Sequence, residues 1–394
     1  MKKKILFVTP HMICGGVEKS LISLVNEIPK NEYEVTILMV KTRGEFLPFI
    51  PKWVTFGELP LPNNIGEELL TGGAKASILK NIRNFKFIQA VKIFVKKAIL
   101  KDAVPDLSIS FETISKIDEH YDIAVAYHIH MPFIVKYVAE KINADKKIAW
   151  IHNDFKVSGF NPRLIKESLD KYIYFFAVSK QLKEEFLEIF PSYNKKTDVF
   201  YNIISSDLIQ SMSKKDNIRY TDNFNGTRIL SIGRLDKQKG YDLAIKVCER
   251  LVKDGYKFKW YVMGDGVERK RLEKQIKQCN VYNNFILMGI KTNPYPYLRL
   301  CDIYVQPSRH EGYCITLTEA RCLKKPIVTT DSAGAKEQIN NNSTGFITEF
   351  DEEQIYMAVK ILMDDQKIRQ KFENNLTKQK VDTSNEVTKL LKLF

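Results

Sequence analysis

Twice along this chain a short aliphatic run stops at a glycine turn and passes into a helix-periodic segment. Residues 5–8 (Ile-Leu-Phe-Val) form the first run. Gly15 and Gly16 follow, residues 17–28 carry the apolar period of a helix, and residues 35–40 read as the next strand. An unbroken apolar run of this length suits a parallel strand covered by helices on both faces, and strand, glycine turn, helix, strand is how a doubly wound sheet begins. The same order restarts at residues 228–232, with a helix over 241–252 and a strand over 258–263. The chain is therefore expected to be α/β, with two Rossmann-like doubly wound domains.

Length agrees, since 394 residues exceed what a single ordinary core takes up. Further strands are expected at 123–127, 147–151, 174–178 and 198–201, then at 285–288, 303–306 and 327–329. The last clear helix is expected near 352–363. Composition turns polar over 205–226, which places the boundary near 202–206. The expected division is 1–204 for an N-terminal domain and 205–370 for a C-terminal one. A charged helical tail, 371–394, is free to pack back on the first domain. The six cysteines show no CxxC pair or zinc-like spacing, so a reducing compartment is inferred. The apolar run after Met1 ends at Thr9-Pro10, too soon for a signal peptide, and no stretch approaches the roughly 20 apolar residues that span a bilayer.

The formal charge of +14 draws the protein toward anions without choosing among them. Residues 69–101 carry eight basic side chains (Lys75, Lys80, Arg83, Lys86, Lys92, Lys96, Lys97 and Lys101) and no acidic one. Apolar residues recur there at steps of three and four. An interfacial helix on an anionic membrane has this pattern, and so does an ordinary helix with its apolar face in a core. Nucleic acid is not expected as a partner, because no aromatic-basic RNA motif or helix-turn-helix accompanies the charge.

Two segments carry chemistry. Residues 231–240 run from a strand through Gly233 to Arg234 and Lys239, a planar fork and a point charge that together suit a diphosphate. Solvated surface charge is the plain alternative. Residues 307–320 place Glu311 and Glu319 at either end of a loop that enters a helix near Thr316. Main-chain amides at such a start form an anion site, and carboxylates accept hydroxyl protons from ribose or sugar. Thr316 and Glu319 also have capping-box spacing, which gives Glu319 a purely structural reading.

With these motifs the chain resembles a retaining glycosyltransferase of GT-B family 4, of the bacterial surface-polysaccharide type. Glu311 and Glu319 match its E-x7-E motif within Pro-Ser-x-x-Glu-Gly-Tyr…Thr-Glu-Ala, and Gly233-Arg234-Leu235…Lys239-Gly240 matches its Gly-Arg-Leu…Lys-Gly stretch. Met263-Gly264-Asp265-Gly266, Leu287-Met288-Gly289, residues 301–308 and Gly15-Gly16-Val17-Glu18 extend the match. The resemblance implies two domains facing a central cleft, residues 1–204 binding the acceptor and 205–370 the nucleotide sugar, with a UDP-linked sugar as donor. It implies that Arg234 and Lys239 hold the diphosphate, Glu319 the ribose and Glu311 the transferred sugar. His152 would lie near that sugar, and Gly15 and Gly16 beneath it. Gly264, Ile290, Tyr313, Cys314 and Ile315 would complete the nucleotide site, Ile290 at the base.

No cofactor or metal is implied, and no Asp-x-Asp pair follows an apolar strand. The basic stretch 75–101, taken with the resemblance, favours a lipid-linked glycan acceptor at the cytoplasmic face of the membrane. A small soluble acceptor, an epimerase, or a non-catalytic sugar-nucleotide binder are the other readings of the same motifs. One departure stands out: Cys314 occupies a position where the family has glycine, so a left-handed backbone there would be strained.

Overall fold

The computed structural model describes residues 2–13, 15–62, 65–70, 111, 114–155, 160–215 and 220–394. The basic stretch 75–101 lies outside the described residues. The chain divides into two compact units. One holds the residues up to Val178 with Leu182–Phe200 and Val387–Phe394; the other holds Ser179–Gln181 and Tyr201–Glu386.

In the first unit, β1 (Lys3–Thr9), α1 (Gly16–Glu27), β2 (Tyr33–Met39), β3 (Thr55–Glu58) and β4 (Ile117–Ala126) are followed by α2 (Pro132–Lys141) and β5 (Ile142–Ile151). Then come β6 (Tyr174–Ala177), α3 (Lys180–Ile189) and β7 (Thr197–Val199). The strands form one sheet in the order β3-β2-β1-β4-β5-β6-β7, and every pairing is parallel. Ile5 through Thr9 are fully buried, as a central strand covered on both faces must be.

The second unit runs through α4 (Ser206–Ser213), β8 (Thr227–Ile232), α5 (Tyr241–Lys253), β9 (Phe258–Met263), α6 (Arg269–Gln278) and β10 (Phe285–Leu287). It continues with α7 (Tyr295–Leu300), β11 (Ile303–Gln306), α8 (Ile315–Cys322), β12 (Ile327–Thr330), α9 (Ala335–Gln338) and β13 (Gly345–Thr348). It ends with α10 (Glu352–Asp364) and α11 (Gln366–Thr377). The six-stranded sheet has the order β10-β9-β8-β11-β12-β13, again all parallel. In α5 the buried side chains Tyr241, Ala244, Ile245, Cys248 and Leu251 fall at steps of three and four, the stripe that a helix lays on a sheet. Ser231, buried in β8, donates from Oγ to the Val305 carbonyl at 2.6 Å and accepts from Trp260 Nε1 at 3.0 Å, so this polar group costs the core little.

Two strands carry no sequence signal of the kind used above. β3 is an exposed edge strand with no apolar run, and β13 is the four-residue Gly-Phe-Ile-Thr. β4 and β5 begin earlier than expected because their first halves are polar and reach beyond the core. After α11 the chain returns to the first unit as α12 (Val387–Leu391), where Leu390 is fully buried. There Lys146 Nζ donates to the Leu393 carbonyl at 2.6 Å and the Phe394 ring meets Tyr33 at 5.0 Å.

Candidate active site

In each sheet the strand order reverses beside the first strand of the unit. At such a switch point the loops leaving neighbouring strands diverge and leave room for a ligand at the carboxyl ends. In the second unit the neighbours are β8 and β11, paired through Ile229–Ile303 and Leu230–Tyr304. Their loops contain the two segments singled out above.

The loop after β8 is fixed by its own side chains. Asp236 accepts the Lys239 N–H at 3.2 Å through Oδ1, while Oδ2 lies 3.3 Å from Arg234 Nη2. Gly240 has φ +69°, and a Cβ there would stand 1.8 Å from the Pro307 carbonyl oxygen, so the loop after β11 lies directly against it. Lys239 and Glu311, 72 positions apart, meet at 2.6 Å between Nζ and Oε1. Arg234 does not join them; it is 59% exposed and faces Asp236. The two cations thus face different carboxylates, Lys239 facing Glu311 and Arg234 facing Asp236.

Glu311 Oε1 is crowded with donors. Besides Lys239 it accepts from Ser308 Oγ at 2.6 Å and lies 3.4 Å from Gln306 Nε2. Gln306 is oriented in turn: Tyr304 OH donates to its Oε1 at 2.5 Å and Thr316 Oγ1 does so at 3.2 Å, while its Nε2 donates to Ser308 at 2.8 Å. Among the described residues no hydrogen bond reaches Glu311 Oε2, which leaves one carboxylate oxygen available to a hydroxyl. Burial works against the charged form of Lys239, but Glu311 outweighs it and holds the ammonium above the ordinary lysine value. Lys239 is therefore charged at neutral pH. Gln306, Ser308 and Asp236 were not anticipated from sequence. A clue existed for Gln306, since an amide closing an otherwise apolar buried strand must find partners.

The loop enters α8 at Cys314, whose φ of 60° and ψ of 77° are left-handed. The strain foreseen for a Cβ at this position is present. Gln338 from α9 steadies it by donating Nε2 to the Tyr313 carbonyl, and Gly334 packs against the Tyr313 backbone, where a Cβ would come within 2.5 Å of that oxygen. The helix starts at Ile315 and has no side-chain cap. The capping-box reading of Glu319 is thereby corrected: Thr316 is inside the helix and its hydroxyl goes to Gln306, because the left-handed residue before Ile315 takes the cap position. Glu319 is fully buried, with Tyr295 OH at 3.3 Å from its Oε1. Tyr313 and Ile315 are buried at the same helix start. At the ends of β8 to β10 the glycine turns stack: Gly264, φ +143°, lies where a Cβ would meet the Gly233 carbonyl at 2.0 Å, and its N–H donates to the Gly289 carbonyl at 3.0 Å. Ile290, next to Gly289, is exposed.

In the first unit the reversal falls between β1 and β4. Gly15 precedes α1 in an extended conformation, and a Cβ there would reach 2.5 Å from the Glu18 carboxylate; Gly16 opens the helix. Glu18 Oε1 lies 3.4 Å from His11 Nδ1. His152, after β5, is buried, with its ring 4.6 Å from Tyr127 and 5.8 Å from His128. Burial first, then His128 and His130, push His152 well below the ordinary histidine value, against one backbone hydrogen bond to Tyr127. Burial likewise takes His128 down to about 4 and His130 to about 3. All three imidazoles are neutral at pH 7, and their Nε2 atoms are buried with no hydrogen-bond partner among the described residues. His128 and His130 were missed; the signal was two histidines directly after an apolar strand. No group of three or more His, Cys, Asp or Glu among the described residues is placed to hold a metal ion.

Residues 214–379 match the family described as glycosyl transferases, group 1. The chain is related to that family and has the GT-B fold. It is similar to Anabaena HepE, solved in complex with UDP and glucose, with a TM-score of 0.71 and 15% identity over 99% of each chain. Among proteins of known sequence it is 32% identical over 198 residues to a Campylobacter jejuni enzyme, the N-acetylgalactosamine-N,N'-diacetylbacillosaminyl-diphospho-undecaprenol 4-alpha-N-acetylgalactosaminyltransferase. That match covers 50% of this chain and 52% of the relative, so the chain spans about half the relative's length. An uncharacterised glycosyltransferase of Methanocaldococcus jannaschii is 26% identical over 73% of this chain and 70% of its own. The group 1 match spans the whole Lys239–Glu311–Glu319 arrangement. No described helix is long and apolar enough to cross a membrane.

Proposed function

We propose that this chain is a retaining glycosyltransferase that moves a hexose or N-acetylhexosamine from a UDP-sugar to a lipid-linked glycan acceptor in cell-surface polysaccharide synthesis. The observation that carries the proposal is the 2.6 Å Lys239–Glu311 salt bridge, set beside the uncapped start of the helix bearing Glu319, within the stretch that matches the group 1 family. A diphosphate gains negative charge as its bond to the sugar breaks. Lys239, the α8 amides and Arg234, turned from Asp236, would stabilise it more in the transition state than in the bound donor. Glu311 would take a sugar hydroxyl through its open oxygen, and Glu319 the ribose. Family resemblance assigns Gly15, Gly16 and His152 to the diphosphate and sugar, and Gly264, Ile290, Tyr313, Cys314 and Ile315 to the nucleotide. HepE, with its UDP and glucose, supports the donor class, and the undecaprenol-linked substrate named for the Campylobacter relative supports the acceptor class.

The test is a panel of UDP-sugars incubated with membrane-extracted acceptors in the presence of EDTA, with products read by mass spectrometry and their anomeric configuration by NMR. Transfer with retention is expected, with Lys239→Ala and Glu311→Gln each slowing it on the order of 10²- to 10³-fold. Absence of turnover with every donor, or full activity in Glu311→Gln, would overturn the reading.

A further inference from the structure

The loops after β8 and β11 are joined by more than the Lys239–Glu311 contact. Arg309 stands two residues before Glu311, and Asp242 lies in the first turn of α5, three residues after Lys239. The guanidinium sets Nη1 2.8 Å from Asp242 Oδ1 and Nη2 2.7 Å from Oδ2, the parallel two-bond fork that arginine forms with a carboxylate. Nη1 also donates to the Lys237 carbonyl at 2.6 Å, and the Arg309 N–H donates to the Gln238 carbonyl at 2.7 Å. Gln238 Nε2 answers by donating to the His310 carbonyl at 3.0 Å. The Phe350 ring lies 4.4 Å from the guanidinium carbon and covers one of its faces.

These contacts have one thing in common: apart from Phe350, each ties residues 237–242 to residues 309–310. Asp236 orders the first loop internally, and Gln306 and Ser308 order the second, but neither group sets the distance between the loops. Lysine has a long flexible stem, so the 2.6 Å separation of Lys239 and Glu311 depends on where their backbones are held.

We propose that Arg309, through its fork on Asp242, is a positioning residue that fixes the relative placement of Lys239 and Glu311. The proposal rests on the reading that these two groups face the donor. The Arg309–Asp242 pair lies at the surface, with its side chains 35% and 24% exposed, so the melting temperature is measured alongside to separate a change in geometry from a loss of fold. A misplacement of the order of an ångström in a catalytic pair is enough for a large loss of rate.

The experiment uses the full chain with Arg309→Lys, Asp242→Asn and the double variant. A ligand-free arm follows the rate at which an amine-selective acylating reagent modifies Lys239, read by peptide mass spectrometry. A second arm measures kcat and KM with the UDP-sugar that the unaltered protein uses. In Arg309→Lys the charge is kept and the fork is lost. Lys239 labelling is expected to rise several-fold and kcat to fall about 10- to 100-fold, with KM for the donor changing less than about threefold and the melting temperature nearly unchanged. The double variant should be no worse than the worse single one, because both remove the same contact. Unchanged labelling in Arg309→Lys, or losses that multiply in the double variant, would overturn the proposal. Should the unaltered protein transfer no sugar, the glycosyltransferase reading fails, and the labelling arm still decides whether Arg309 positions Lys239.

Discussion

Cys314 shows how one side chain can report a backbone conformation. This chain keeps a Cβ at φ 60°, where glycine would carry no cost, and the fold retains the left-handed turn rather than the residue's preference. Two variants separate the backbone cost from the loss of the buried thiol. Cys314→Gly and Cys314→Ala both remove sulfur, but only alanine keeps the strained Cβ. The glycine variant is expected to be more stable than the alanine one by about 1 kcal/mol, measured by chemical denaturation. Equal stabilities would mean that the conformation costs nothing here. Glu319 teaches a related point. Its spacing from Thr316 fits a capping box equally well, and only the position of Cys314 at the helix start shows that the cap is not made.

The element that creates the site is the parallel pairing of β8 with β11, strands separated in sequence by β9 and β10. Both strands were legible as apolar runs ending at turns. Their adjacency was not, because any doubly wound order satisfies the same hydrophobic pattern. Gly240 is the contact that the pairing demands, and a control is available within the same unit. Gly255 also has a left-handed φ, +79°, but nothing lies within 4 Å of the position its Cβ would take. Gly255→Ala should therefore cost about 1 kcal/mol, the backbone strain alone. Gly240→Ala, aimed at the Pro307 carbonyl, should cost about 2–4 kcal/mol by denaturant titration as the two loops separate. A Gly240→Ala variant no less stable than Gly255→Ala would show that the loops move apart freely.

Across the whole molecule, burial of three neutral histidines in the first unit predicts acid sensitivity. Their folded pKa values lie below the ordinary value near 6.5, so between roughly pH 6.5 and 4 the unfolded chain binds protons that the native chain does not. Stability must then fall as pH falls, by up to about 1.4 kcal/mol per pH unit for each histidine. Denaturation midpoints from pH 7 to pH 4.5 should drop less steeply in His152→Asn than in the unaltered protein, and parallel curves would count against this. The three rings cluster because β4 and β5 are neighbours, which the sequence shows only as two separate strands with histidines after them. Read unaided, the chain already specified the α/β class, the glycine turns and the acidic and basic groups that meet in the second unit. Those follow from local forces: apolar periodicity, the backbone freedom of glycine, and charge. Strand order, the partner chosen by Lys239, the exposure of Arg234 and the clamp at Arg309 came only from the folded chain. Each depends on which distant segments are brought side by side, and no local preference encodes that.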